Sequence, residues 1–193
     1  MSKNIQYKKY IMNNIHGKSG YLELIIGPMF SGKTSKLLEI YKQCNFCGIS
    51  VTVVNHTSDT RYDEVMLTTH DQLKIPCIQA IKLRDIIALA NTDVILINEG
   101  QFFEDLYEVT VELLQSHKKI YIAGLDGDFE RNKFGSMLDL IPMCDMITKL
   151  TSLCSTCKDG TKAIFSKRIT CEKQQTLVGS DNYIPVCRTC YLK

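Results

Sequence analysis

The chain has 193 residues, 45% of them hydrophobic and 23% charged, with four prolines and no tryptophan. A chain of this length buries roughly 70% of the surface its unfolded form exposes, so a core is available without covalent staples. Lys plus Arg (23) against Asp plus Glu (21) leaves +2, too near neutral to announce a nucleic-acid or membrane partner, and no stretch reaches the ~18 apolar residues of a membrane-spanning helix.

The first 20 residues (MSKNIQYKKYIMNNIHGKSG) carry Lys, Asn and Ser without periodicity and read as a flexible leader. They lack the roughly 7–15-residue apolar core and the cleavage site of a secretory signal, so an intracellular, cytoplasmic setting is expected. Tyr21-Leu22-Glu23-Leu24-Ile25-Ile26 is a short, largely apolar run that stops at Gly27, as a buried strand does. From Lys33 to about Cys47 the apolar residues Leu37, Leu38, Ile40 and Tyr41 fall at helical spacing, and Gly48 is placed as a stop. Residues 49–55 (ISVTVVN) are β-branched and strand-like. The polar stretch 56–75 receives no assignment. Helical character returns at 83–90, a buried strand at 93–97 (DVILI), an amphipathic helix at 106–114 and a further strand at 120–124 (IYIAG).

Strands alternating with helices predict an α/β domain built of parallel βαβ units, with helices on both faces of the sheet. After about residue 150 the apolar runs give way to cysteine pairs and polar spacers. The expected organisation is a leader (1–20), an α/β nucleotide-binding domain (21–150) and a smaller C-terminal module (151–193).

Gly27-Pro28-Met29-Phe30-Ser31-Gly32-Lys33-Thr34 fits G-x-x-x-x-G-K-[ST]. Its glycines let backbone N–H groups turn inward around phosphates. The following helix N-terminus adds a positive dipole end, Lys33 reaches the β- and γ-phosphates, and the Thr34 hydroxyl suits Mg²⁺. The motif follows a predicted strand and opens a predicted helix, the context it needs. A phosphate-transferring enzyme also wants an acidic group at another strand end, and 93–97 runs into Asn98-Glu99-Gly100-Gln101. Glu99 suits either a general base or a holder of the metal's water shell.

Cysteine is the unusual entry in the composition: nine, six of them in C-x-x-C pairs at Cys44/Cys47, Cys154/Cys157 and Cys187/Cys190. In a reducing compartment such pairs bind metal or do redox chemistry more often than they form disulfides. Cys154, Cys157, Cys187 and Cys190 have the form of a closed four-thiolate zinc site, with thiol redox chemistry as the alternative. Cys44 and Cys47 fall on the helix after the phosphate loop with no second pair to complete a quartet. They are expected to be plain semi-buried helix residues.

With these motifs in place the sequence closely resembles the type II thymidine kinases. The resemblance rests on GPMFSGKT, Asp59-Thr60-Arg61-Tyr62, Thr69-His70-Asp71, NEGQFF, Leu125-Asp126-Gly127-Asp128-Phe129, Ser166-Lys167-Arg168, Gly179-Ser180-Asp181-Asn182-Tyr183 and Val186-Cys187-Arg188-Thr189-Cys190. It runs in order from 21 to 192. It implies a P-loop α/β domain followed by a small ribbon-like zinc domain, and transfer of the ATP γ-phosphate to the 5′-hydroxyl of thymidine, with deoxyuridine as a second substrate, using Mg²⁺. It implies that Glu99 is the base, and that Asp59, Thr60, Arg61 and Gln101 lie near phosphates and metal. A loop from about Arg168 to Tyr183 would close over the nucleoside, with Gln175, Thr176, Leu177, Val178 and Gly179 holding thymine largely through the main chain. Met29, Leu125, Phe129, Ser166 and Tyr183 match positions lining the base pocket. Discriminating thymine from uracil rests on one methyl group, worth about 1–3 kcal/mol in an apolar pocket. The resemblance further implies a homotetramer and feedback by dTTP.

Asn98 departs from the pattern, since the family usually reads Asp-Glu there. An amide accepts a hydrogen bond but supplies no charge, so Asn98 is expected to order a Mg²⁺-bound water with weaker metal affinity. Two other readings compete with the kinase: a catalytically weakened nucleotide-binding regulator, motivated by Asn98, and a zinc ribbon that binds nucleic acid. The near-neutral charge and the lack of a basic stripe with interleaved aromatics count against the second.

Overall fold

A computed structural model describes residues 19–58, 66–68, 73–87, 91–177 and 179–193. The chain enters strand β1 (Tyr21–Ile26), buried along its whole length, turns through the glycine-rich loop and continues as helix α1 (Lys33–Cys47). Gly48 ends that helix in the left-handed region, φ 69°, where a residue without Cβ is favoured. Strand β2 (Val51–His56) follows, then a short antiparallel pair, β3 (Met66–Thr68) and β4 (Lys74–Pro76). Next come β5 (Ile78–Ala80), the short helix α2 (Arg84–Ile87), β6 (Val94–Asn98), helix α3 (Leu106–Gln115) and β7 (Lys119–Gly124). A 3₁₀ segment, Met137–Met143, leads to β8 (Met146–Lys149).

Six of these strands form one sheet in the order β5-β2-β6-β7-β1-β8. Every pairing in it is parallel. The expected α/β architecture therefore holds, and its physical cause is visible on both faces. On one, Leu37, Leu38, Ile40 and Cys44 of α1 pack against Ile25, Val53, Leu96 and Ala123. On the other, Leu106, Val109 and Leu113 of α3 join Met137 and Leu140 over Leu24, Ile95, Ile97 and Ile122. A sheet covered on both sides needs the continuous apolar strands the sequence shows.

Four strands of this domain lay outside the sequence expectation. β5 has three residues, and β8 is an edge strand whose Met146 and Ile147 stay 40% and 41% exposed, so neither carries a buried run. The β3–β4 pair falls in the stretch that received no assignment. The remaining chain builds a smaller C-terminal unit from two antiparallel pairs, β9 (Ser152–Leu153) with β10 (Lys162–Ala163) and β11 (Phe165–Arg168) with β12 (Tyr183–Val186), closed by the short helix α4 (Arg188–Leu192). Its core is Cys154, Ala163, Val186, Cys187 and Cys190.

Candidate active site

The C-terminal ends of β1, β6 and β7 open onto one cavity of about 1100 Å³ including its mouth, the usual place for a ligand in an open parallel sheet. Its floor is the glycine-rich loop. Gly27 has φ 150°, and a Cβ there would lie 2.5 Å from the Leu150 carbonyl oxygen, so no other residue fits. Helix α1 begins at Gly32 (φ 85°) with no side chain capping its first turn and no acidic residue in it. The helix N-terminus thus presents its positive dipole end to the cavity with no cap from its own N-cap residue, which suits an anion. The Ser31 hydroxyl is buried without a hydrogen-bond partner among the described residues, and the Lys33 ammonium donates to the Pro28 carbonyl at 2.8 Å across the loop. These are donors arranged around a space, and a polyphosphate fits them. Phe30 sits at φ 61°, a further sign that the loop's backbone is bent to shape.

Across the floor, β6 ends at buried Asn98, and half-buried Glu99 follows it. Glu99 takes the left-handed conformation, φ 55° and ψ 43°, which turns its carboxylate into the cavity it lines. Gln101 donates to one Glu99 carboxylate oxygen at 2.7 Å and accepts the Leu125 N–H at 3.0 Å. It is 4% exposed, and both ends are engaged by protein, so it fixes Glu99 against the β7 turn. Gly124 permits this closeness: a Cβ there would come within 2.7 Å of the Gln101 Oε1. Asn98 accepts from the Thr34 hydroxyl at 3.4 Å and donates to the Asn55 side-chain oxygen at 2.8 Å.

The opposite wall combines Met29, Leu125 and Phe129 of the α/β domain with residues of the C-terminal unit. Met29, Leu125, Phe129, Ser166, Gln175, Thr176, Leu177, Gly179 and Tyr183 all line the same cavity as the phosphate loop and Glu99. Ser166 is 6% exposed and accepts the Met29 N–H at 2.9 Å, tying β11 to the phosphate loop. Two groups that sequence reasoning left without a role organise this wall. Asp128 accepts from the Glu130 and Asn132 N–H groups at 2.9 and 2.8 Å and from the Gln175 amide at 2.8 Å. Arg168 lies over the Phe129 ring at 3.8 Å and the Tyr183 ring at 5.0 Å. Its guanidinium donates to the carbonyls of Glu172, Gln174 and Gln175 and to the Tyr183 hydroxyl. Arg168 and Asp128 sit inside motifs quoted from the sequence, yet charged residues beside glycine or lysine read as surface. Asp59, Thr60, Arg61 and Val178 lie outside the described residues, as does His70.

Among the described residues one cysteine cluster could hold a metal, with the sulfurs of Cys154, Cys157, Cys187 and Cys190 all within 4.8 Å of one another. Cys157 stands 3.8 Å from Cys187 and 3.4 Å from Cys190. A tetrahedron of thiolates around zinc has edges of about 3.8 Å, given Zn–S bonds of about 2.3 Å, so the donor set fits. Hydrogen bonds from the backbone of Cys157, with further ones from Cys187, pull the Cys154 thiol down to about 6, while hydrogen bonds with Cys190, Cys154 and Cys187 push the Cys157 thiol up to about 12, so the four crowded sulfurs share their protons unevenly. Cys44 is a different case. Burial in the α1 core, with Cys47 adding to it, pushes its thiol up to about 11, so Cys44 is an inert packing residue of the helix.

The thymidine kinase family model matches residues 20–191. Thymidine kinase a of Arabidopsis thaliana is 42% identical over 90% of this chain and 76% of its own length. The thymidine kinase of sheeppox virus (strain KS-1) is 42% identical over 89% and 97%. The cytosolic thymidine kinase of Bos taurus is 38% identical over 90% and 73%.

Proposed function

Because this chain belongs to the thymidine kinase family, we infer that it transfers the γ-phosphate of ATP to the 5′-hydroxyl of thymidine, with deoxyuridine as a second substrate, giving dTMP for DNA synthesis by salvage. The observation that carries this reading is the single cavity in which the uncapped α1 N-terminus, the Glu99 carboxylate and the base-pocket residues Met29, Leu125, Phe129 and Tyr183 face one another. A polyphosphate at the loop and a nucleoside at the opposite wall bring phosphorus and hydroxyl together over Glu99.

In this reading Glu99 accepts the hydroxyl proton as the bond to phosphorus forms, and Gln101 keeps its carboxylate aimed. Lys33 leaves the Pro28 carbonyl for the phosphates, and the N–H groups from Phe30 to Thr34 take up the charge that spreads over the phosphate oxygens. Mg²⁺, when bound, neutralises the phosphate charge, and Thr34 is the residue that would hold it. Asp59, Thr60 and Arg61 belong to the phosphate side of the site. Thymine lies between the Phe129–Tyr183 side and Met29, edge-on to the main chain of 175–179, with Ser166 and Leu125 around its methyl group. Zn²⁺ in the four-cysteine cluster would hold the base of that loop. The organisation into a phosphate-binding domain (21–150) and a nucleoside-closing zinc domain (151–193) follows, as do cytoplasmic residence, a homotetramer and feedback by dTTP. Among the described residues no helix is long and apolar enough to cross a membrane.

Incubation of the purified protein with ATP, Mg²⁺ and a nucleoside panel tests the reading. Thymidine and deoxyuridine should be phosphorylated and ribonucleosides ignored. Glu99→Gln should cut kcat by roughly 10²–10⁴-fold, the worth of a positioned base, with ATP affinity unchanged. A protein that binds ATP and thymidine but transfers nothing would be the regulator instead.

A further inference from the structure

At the end of the sheet, Gln79, Asn55 and Asn98 are cross-strand neighbours on β5, β2 and β6, one rung of the register. Their side chains form a chain of hydrogen bonds that runs one way. Thr34 donates to Asn98 at 3.4 Å, Asn98 donates to Asn55 at 2.8 Å, Asn55 donates to Gln79 at 3.4 Å, and Gln79 donates to the Cys77 sulfur at 3.9 Å. Asn98 and Asn55 are each 2% exposed, so water does not compete for these groups. A carboxamide has two chemically opposite ends, one accepting and one donating. Asn55 donates its own NH₂ to Gln79, so its oxygen is the end left for Asn98, and that decides which end of Asn98 faces the phosphate loop.

We propose that Asn55 is a positioning residue: by accepting from the Asn98 amide it holds the Asn98 carbonyl oxygen toward the Thr34 hydroxyl, leaving the Thr34 lone pairs free for a divalent cation. A hydroxyl that ligates a cation through oxygen must send its proton elsewhere, and Asn98 Oδ1 receives it. That task needs an acceptor and no charge. Aligned dipoles reinforce one another along such a chain, so a neutral ladder serves at a position where the resemblance calls for a carboxylate. Turned the other way, the Asn98 NH₂ would donate into the Thr34 oxygen and occupy the lone pair the cation requires. This inference rests on the phosphate-and-Mg²⁺ reading of the site and specifies how this chain meets it without Asp.

Calorimetric titration of ATP, with and without Mg²⁺, together with thermal melts, tests it on four proteins: wild type, Asn55→Asp, Asn55→Lys and Asn55→Lys combined with Asn98→Asp. Wild type should bind ATP more tightly with Mg²⁺. Asn55→Lys leaves only donors opposite Asn98, turns the carboxamide over, and should cut that Mg²⁺ enhancement by roughly 10–100-fold, the usual effect of losing a group that orients a metal ligand. Metal-free ATP binding should be no weaker. Asn55→Asp still accepts and should keep the enhancement. The double variant should recover it, because a carboxylate accepts from the introduced lysine and from Thr34 together. Should Asn55→Lys fail to fold, Asn55→Asp decides: an Mg²⁺ enhancement kept within about threefold supports the idea, and one lost by roughly tenfold or more overturns it. The idea is overturned if Asn55→Lys melts normally and keeps its Mg²⁺ enhancement, or if Asn55→Asp loses as much as Asn55→Lys. A wild type that is insensitive to Mg²⁺ and phosphorylates no thymidine would overturn the site reading itself, and the positioning role with it.

Discussion

The two walls of the cavity are built by opposite strategies. The phosphate side is eight consecutive residues between a strand and a helix, shaped by backbone conformation and held by a sheet covered on both faces. The nucleoside side is assembled from distant pieces: Met29 meets Ser166 across 137 positions and Asp128 meets Gln175 across 47. Its loop from 169 to 182 contains no strand or long helix among its described residues, and its carbonyls converge on one guanidinium. A site for phosphate, which every nucleotide presents alike, tolerates a rigid local mould. A site that must tell nucleosides apart and close over them uses a loop whose shape comes from side chains.

If that contrast is right, the two sides should fail separately. The largest separation is expected from the cysteine cluster. Folding energy of such a unit is metal-binding energy, of the order of 10 kcal/mol; β12 leads directly into the cluster and Phe165 of β11 packs against it. Stripping metal with a strong chelator, or Cys157→Ser, should raise the thymidine KM by roughly 100-fold or more while ATP affinity moves by less than about threefold. Equal losses on both sides would mean that the C-terminal unit also holds the phosphate loop in shape, through the Ser166–Met29 contact.

A smaller effect on the same side is expected at Arg168. Each charge-assisted bond to a carbonyl contributes about 1.5–3 kcal/mol, and about 1.4 kcal/mol is tenfold in affinity. Arg168→Met should therefore raise the thymidine KM by roughly 10–100-fold, leave the ATP KM unchanged, and make the loop more sensitive to protease. Arg168→Lys keeps the charge but not the planar fork, and should fall in between. A kcat loss with both KM values intact would place Arg168 in the chemistry and break the contrast.

The same difference decides how much was legible beforehand. The glycine-rich loop, α1, its Gly48 stop and the four strands at 21–26, 49–55, 93–97 and 120–124 could be read because local pattern determines them: apolar runs, helical spacing and a contiguous motif. Glu99 was readable because it terminates a buried run. Arg168 was not, since its partners are carbonyls of a loop and rings at 129 and 183, and no local pattern encodes them. β8 escaped because its exposed edge carries no apolar signature, and β5 because three residues hold no period. The Asn98–Asn55–Gln79 ladder was hidden for a different reason. It depends on which strands are neighbours and in what register, and a sequence with a polar stretch between two strands does not say that β2 lies between β5 and β6. Asn98 therefore looked like a defect when read alone, and becomes one member of a satisfied rung when read with its neighbours.

The rigid side has its own weak point, and it offers the smallest and most specific expected effect. His56 ends β2 at 7% exposure, edge-on to Phe103 with ring centroids 4.7 Å apart and 5.6 Å from Phe102, and its Nδ1 accepts the Ser58 N–H at 3.0 Å. Burial holds its pKa below the ordinary 6.5, although a backbone bond at Ile81 and the charges of Glu99 and Asp105 pull it back up. The folded protein thus resists a proton that the unfolded chain takes up near 6.5, so stability is at its full value above that pH. It declines as pH drops below 6.5, until the folded form protonates as well. Denaturant melts at pH 7.5, 6.5 and 5.5 should show this slope in the wild type. His56→Asn, which keeps an acceptor for the Ser58 N–H and does not titrate, should flatten it without altering stability at pH 7.5 by more than about 2 kcal/mol. Because His56 packs on Phe102 and Phe103, just beyond Glu99 and Gln101, the same variant should leave thymidine affinity unchanged while ATP binding loses part of its pH dependence. If thymidine affinity shifts instead, the two walls are mechanically coupled through this turn, and the separation seen in their construction does not extend to their function.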